Sequence, residues 1–143
     1  LTRVAFVLDN SVVCGWFFEN QATPYSDAMI ARLRDERAAV PSLWELEFTN
    51  ILRTACLRQR MTAEAAQRVI AQIVSLPIDV DRHAVPASET LALSLRFGQS
   101  SCDAAYLKLA LRMQLPIATV DGPLRAAALT AGVGLAPATE SAG

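Results

Sequence analysis

The sequence predicts an α/β domain of three layers: a central, mostly parallel sheet of four to five short strands between two layers of helix. Three observations carry this. Val4-Ala5-Phe6-Val7-Leu8 is an unbroken apolar run of strand length, the pattern of a strand buried on both faces of a parallel sheet. Strand-like runs then alternate with segments of helical period, as in successive βα units. The 143 residues are just over half apolar, without repeats or a linker, and suffice for one domain with its own core.

The elements follow in order. After Asp9-Asn10-Ser11, residues 11–18 read as a short helix that Gly15 weakens. Its Trp16, Phe17 and Phe18 are more than one face can bury, so part of the cluster is expected to await a partner. Residues 19–24 read as loop, 26–37 as a polar amphipathic helix, and 38–41 as a strand that Pro41 ends or places at an edge. Ser42 is expected to cap a helix over 43–58, and Thr62 one that runs to Ser75. Residues 77–80 alternate as a strand, and Pro86 opens a helix stopped by Gly98. Ser100 and Ser101 cap the next helix, 117–120 is a strand, and 123–130 is a helix closed by Gly132. Residues 132–135 offer a last short strand. The domain is expected to span 1–135, with 136–143 a frayed tail.

Composition removes several chemistries. A formal net charge of −1 gives no whole-molecule attraction to nucleic acid, so any polyanion must be held by local basic groups. Of 13 basic residues only Lys108 is a lysine. There is no Gly-Lys-Ser/Thr phosphate loop and no GxGxxG, and Schiff-base chemistry would rest on Lys108 in mid-helix. Three scattered cysteines without CxxC imply reduced thiols in a cytoplasmic protein. Cys102 sits at a helix start, where a thiolate is favoured, but reads better as a small buried apolar residue. The single histidine, His83, lies in a polar stretch read as surface loop, which leaves little room for histidine-based catalysis or metal ligation. No apolar run is long enough for a membrane span, and Asp9-Asn10 interrupt the stretch that a signal peptide would need. The chain opens on Leu1, read as a trimmed, tagged or unusual start.

The informative residues are acidic. Asp103, Tyr106, Leu107 and Ala110 share one face of the helix that follows Ser101, so a carboxylate sits on a stripe that faces the core. Asp9 and Asp121 each follow a predicted strand directly, where open parallel sheets bind their ligands. Glu47 shares a face with Leu43, Asn50 and Ile51, whereas Glu45 points away. Taken singly, Asp9 and Asp121 are ordinary N-caps, Asp103 serves its helix dipole, and Glu47 is a solvated charge. Taken together, four carboxylates directed to one end of a sheet repel one another and call for a hard divalent cation. Such sites serve phosphodiester hydrolysis.

Phe6-Val7-Leu8-Asp9-Asn10-Ser11, Glu47-Phe48-Thr49-Asn50-Ile51-Leu52, Cys102-Asp103-Ala104-Ala105-Tyr106-Leu107-Lys108-Leu109-Ala110 and Ala118-Thr119-Val120-Asp121 resemble the four acidic motifs of PIN domains. In particular they resemble those of VapC-type toxins from bacterial toxin–antitoxin pairs. The likeness runs over about residues 4–135, with one departure: Asn10 stands where a small residue is usual. The resemblance implies a PIN-like fold and a metal-dependent endoribonuclease, using Mg²⁺ or Mn²⁺, that acts on structured RNA of the tRNA or rRNA class. It implies a homodimer and a small cognate antitoxin covering the active site. Matched position by position, Asp9, Glu47, Asp103 and Asp121 are catalytic, with Asp9, Asp103 and Asp121 as metal ligands; Ser11, Asn50 and Thr119 support them. Arg125, four residues beyond Asp121, is the candidate for a local arginine rim that meets RNA. Two rivals remain: a non-catalytic RNA- or protein-binding domain on the same fold, and a phosphoaspartyl domain with Asp9 as nucleophile. The first would be favoured by loss of an acid, and none is lost. The second needs a lysine at the phosphate, and Lys108 lies more than a turn beyond Asp103.

Overall fold

The computed structural model describes residues 3–139. Four parallel strands, β1 (Val4–Leu8), β2 (Arg37–Pro41), β3 (Ile78–Asp81) and β4 (Ile117–Ala118), form one sheet in the order β3-β2-β1-β4. The connections carry seven helices: α1 (Asn10–Phe17), α2 (Pro24–Arg32), α3 (Leu43–Leu57), α4 (Ala63–Val74), α5 (Ala87–Phe97), α6 (Ser101–Met113) and α7 (Gly122–Ala131). Helix α1 packs on α2 and α3, and α3 on α4; α5, α6 and α7 pack on one another, with α6 laid against β1 and β2. This is the three-layer α/β architecture that the strand and helix pattern predicts.

The unbroken apolar run of β1 is explained by its place. It pairs with β2 on one side and β4 on the other, and Phe6, Val7 and Leu8 have no exposed surface. From β1 the chain steps to β2 and then β3, and returns to the far side of β1 only for β4. The direction of winding therefore reverses between β1 and β4. Adjacent loops leave in opposite directions there and open a crevice at the strands' carboxyl ends.

Local chemistry sets the boundaries, and several differ from expectation. Helix α2 starts at Pro24, before residue 26, because Thr23 and Ser26 form a reciprocal capping box ahead of it. It stops at Arg32, short of residue 37, because Arg37 joins β2 and its guanidinium grips Asp79 of β3 at 2.5 Å. Ser42 does not cap α3: its backbone is already helical and its side chain makes no capping bond. Thr62 does cap α4, accepting from Ala65 N at 3.1 Å, and Gly98 ends α5 in the left-handed region at φ 63°. Strand β4 is half the expected length, because Thr119 and Val120 turn their polar groups to other uses described below. The expected strand at 132–135 is a single parallel bridge between Leu135 and Ile117. The tail expected to fray from residue 136 is still held at its start. Ala136 is buried, its carbonyl accepts the Tyr25 hydroxyl at 2.6 Å, and the Pro137 carbonyl accepts Arg32 Nη1 at 2.9 Å. Residues 140–143 of that tail lie outside the described residues.

Candidate active site

The four acids come from four elements that meet at the crevice. Asp9 follows β1 and caps α1; Asp121 follows β4 and caps α7, accepting from Leu124 N at 3.0 Å. Asp103 lies in the first turn of α6, whose N-cap Ser100 accepts from Asp103 N at 3.1 Å. Glu47 comes from the second turn of α3. For Asp9 and Asp121, capping and facing the site are therefore not rivals. A carboxylate that holds the first turn of a helix with one oxygen keeps the other for a ligand.

Asp9 shows this most clearly. Its Oδ2 accepts Ser11 Oγ at 2.6 Å, Thr119 Oγ1 at 2.8 Å and Ser11 N at 3.4 Å, and none of these bonds uses Oδ1. Each hydroxyl has one proton to give. With both protons on Asp9, the 3.1 Å approach of Ser11 Oγ to Thr119 Oγ1 is a contact rather than a bond. The hydroxyl oxygens in turn accept Val120 N and Asp121 N, each at 3.0 Å. These bonds lock Asp9 to the 119–121 segment. They are also why β4 ends early: the strand's last amides serve the site instead of the ladder.

Glu47 is held from α6. Tyr106, buried at 1% exposure, donates its hydroxyl to Glu47 Oε1 at 2.7 Å, and the Cys102 thiol lies close by. Burial raises the Glu47 pKa above the usual carboxylate value and the charges of Asp9 and Asp103 add to it; the bond from Tyr106 and the nearby Cys102 thiol oppose the rise. Asp103 is raised in the same way, by burial first and then by Asp9 and Asp121, against a hydrogen bond from Ser100. No cation is among the groups that move either acid. Glu47 and Asp103 thus lie near enough to neighbouring acids to be repelled by them.

The donor set is hard oxygen throughout, which fits Mg²⁺ or Mn²⁺ and not a thiolate- or imidazole-seeking metal. Among the described residues, no three acidic, histidine or cysteine side chains form a ready-made cage for a metal ion.

The remaining sequence-predicted residues divide. Ser11 and Thr119 are at the centre of the network. Asn50 is not: α3 buries Trp44, Phe48, Leu52 and Ala55, and Asn50 is exposed, off the inward stripe assigned to it. Arg125 bonds the Thr119 carbonyl through Nη1 at 2.7 Å and stacks over Tyr25 at 5.6 Å, so it braces the β4–α7 junction and is not simply solvated. Cys102 is exposed rather than buried, and partial desolvation, Glu47 and Asp103 all push its pKa up, against the thiolate that a helix start would favour. His83 is exposed beside Asp81, as a surface-loop residue should be. Tyr106 was visible only as a core residue. Its i+3 spacing from Asp103 was the one signal that it reaches the site. Asn10 is buried with neither side-chain polar atom bonded to protein.

No family model matches the chain. It is 31% identical to Ribonuclease VapC12 of Mycobacterium tuberculosis, in strains CDC 1551 and H37Rv alike, over 102 residues that cover 71% of this chain and 78% of the relative. Its fold is shared with the crystal structure of PAE2754 from Pyrobaculum aerophilum at a TM-score of 0.68 and 23% identity, covering 88% of this chain and 87% of that one.

Proposed function

The chain belongs to the VapC ribonucleases, with their PIN-like fold, and we propose that it is a metal-dependent endoribonuclease, the toxin of a toxin–antitoxin pair. What supports the chemistry is that the charges of Asp9 and Asp103 act on Glu47, and those of Asp9 and Asp121 on Asp103, with no cation among the groups that shift either acid.

In this reading Asp9, Asp103 and Asp121 would hold Mg²⁺ or Mn²⁺, which when bound would neutralise charge on the phosphate and lower the pKa of a water. The protein's own groups supply the rest. Ser11 and Thr119 fix Asp9 with one oxygen occupied and the other available. Glu47, held by Tyr106 and already raised in pKa, is suited to take the proton of the attacking water. The N-termini of α1, α6 and α7, where Asp9, Asp103 and Asp121 sit, would favour an anion bound beside those acids. Water would add to phosphorus as Glu47 takes its proton, the bond to the leaving oxygen would break, and that oxygen would take a proton from solvent, to which Glu47 later returns its own.

The substrate would be structured RNA of the tRNA or rRNA class, in the cytoplasm. Arg125 would contribute through the N–H groups not spent on Thr119 and Tyr25. A small antitoxin and a second copy of the chain would be its protein partners. Incubation of purified protein with total cellular RNA tests the reading. Discrete fragments in Mg²⁺ or Mn²⁺, none in chelator, and none with Asp9→Asn are expected; equal cleavage by the variant would contradict it.

A further inference from the structure

Strand β4 has only two residues, yet its outer edge is not open. Ile117 N donates to the Gly134 carbonyl at 3.1 Å, and Ala136 N donates to the Ile117 carbonyl at 2.9 Å, so residues 134–136 run beside β4 as a partner strand would. Helix α2 fastens this segment in turn. Tyr25 donates its hydroxyl to the Ala136 carbonyl at 2.6 Å, and Arg32 Nη1 donates to the Pro137 carbonyl at 2.9 Å. Tyr25 and Arg32 are two turns apart and so share a face of α2. Arg32 is itself immobilised. Its side chain is 4% exposed, its Nε meets Glu36 at 2.7 Å, and its guanidinium lies 4.9 Å over the Phe6 ring of β1.

The same tyrosine leads to the acids. Arg125 stands over the Tyr25 ring at 5.6 Å and donates Nη1 to the Thr119 carbonyl at 2.7 Å. Among the described residues its guanidinium has no carboxylate partner, so an aromatic face takes the place that an acid fills elsewhere. Thr119 is then held at both ends. Arg125 has its carbonyl, while its hydroxyl donates to Asp9 Oδ2 and accepts Asp121 N. A direct line of contacts runs from the Ala136 carbonyl through Tyr25, Arg125 and Thr119 to two of the four carboxylates.

We propose that Tyr25 is a positioning residue of the carboxylate site: anchored at Ala136, its ring steadies Arg125 on the Thr119 carbonyl, and Thr119 sets Asp9 and Asp121 at the spacing a divalent cation needs. Partners of this kind orient metal ligands without touching the metal. The segment 134–137 is then part of the frame of the active site and works there through its backbone. This rests on the metal-site reading above.

The test is Mn²⁺ binding without RNA, read from the loss of the free-ion signal in electron paramagnetic resonance, beside steady-state cleavage. Leaving RNA out separates this role from any phosphate contact of Arg125. Tyr25→Leu removes ring and hydroxyl and should weaken Mn²⁺ binding about tenfold, the lower end of what outer partners of metal ligands contribute. Tyr25→Phe keeps the ring under Arg125, releases Ala136, and should lose about threefold, midway on a logarithmic scale. At a fixed Mn²⁺ concentration kcat should fall in both, with KM for RNA unchanged. Val69→Ala, at a buried position on α4, lowers stability away from these contacts and should bind Mn²⁺ as the parent does. Parent-like Mn²⁺ affinity in Tyr25→Leu, folded by circular dichroism, overturns the proposal while leaving the metal site intact. If Tyr25→Leu does not fold, parent-like affinity in Tyr25→Phe does the same. An equal loss in Val69→Ala would trace the effect to stability alone and also overturn it. A parent that binds no Mn²⁺ overturns the metal-site reading, and the proposal with it.

Discussion

Thr119 is the residue whose single hydroxyl joins Asp9 to Asp121. It has no exposed surface, donates to Asp9 Oδ2 and accepts from Asp121 N. Thr119→Val keeps the shape and leaves that amide without its acceptor, which should cost about 1–3 kcal/mol of stability. Cleavage should fall further than the stability loss explains, because Asp9 loses one of its fixing bonds. Urea melts beside a cleavage assay measure both. Asp103 should behave in the opposite sense. Burial, Asp9 and Asp121 raise its pKa, so the native state holds this proton more tightly than the unfolded chain does. Above the folded pKa the ionised group opposes folding. As pH falls through the folded pKa toward the ordinary aspartate value the penalty disappears. In chelator at neutral pH, Asp103→Asn should therefore melt at or above the parent temperature, with the gap closing on acidification, while cleavage is abolished. A variant that melts lower at neutral pH would contradict the repulsion. The placing of the four acids at strand ends and helix starts was legible from spacing and from the resemblance. The Tyr106–Glu47 bond was not, because it joins α6 to α3 across 59 positions. Asn50 misled because one helical stripe is broad enough to include a residue at its solvent edge.

At the scale of elements, Gly15 was read as a weakness in α1 and is instead a packing requirement. A Cβ there would stand 2.4 Å from Ser26 Oγ, and that hydroxyl is fixed by bonds to Thr23 N and Thr23 O at 3.0 and 2.9 Å. Gly15→Ala should gain about 1 kcal/mol in helix propensity. It should lose more, about 1–3 kcal/mol or beyond, to overpacking between α1 and α2. A denaturant midpoint below the parent's is expected, and a rise would show that α2 yields. The boundaries that the sequence missed have the same origin in distant contacts. Helix α2 yields to β2 because Asp79 draws Arg37 into the sheet, and β4 ends early because Ser11 and Thr119 capture its amides. The four strands' places, the Thr62 and Ser100 caps and the glycine stop at Gly98 are local and were legible, whereas Ser42 was not the cap expected; the length of β4 was decided by a residue more than 100 positions away.

For the whole molecule, the question is how a chain of net charge −1 holds a polyanion at an acidic crevice. Local arginines must do it, and their contribution is read in salt dependence. If Arg125 meets a phosphate, Arg125→Ala lowers the slope of log affinity against log salt by about 0.7. An unchanged slope would leave it only the bracing of Thr119 and Tyr25. The aromatic cluster bears on partners. Trp16, Phe17 and Phe18 are each half-buried, with Trp16 Nε1 donating to the Ser26 carbonyl at 2.7 Å and Phe17 tilted against Phe48. The rings are partly open in the single chain, as the crowding of three on one short helix predicts. A change in quenching of the tryptophan emission on adding the antitoxin or raising protein concentration would show that a partner covers them.

The central claim is that the acids at the sheet's reversal are a metal site and not merely four helix-associated charges. Crystals soaked in Mn²⁺ and measured at the manganese edge test it most directly. The account predicts an anomalous peak within about 2.0–2.3 Å of a carboxylate oxygen of Asp9, Asp103 or Asp121, a distance typical of hard-cation coordination, and no such peak at that place in Asp103→Asn. An empty crevice at saturating Mn²⁺, or a peak that persists unchanged in the variant, would contradict it.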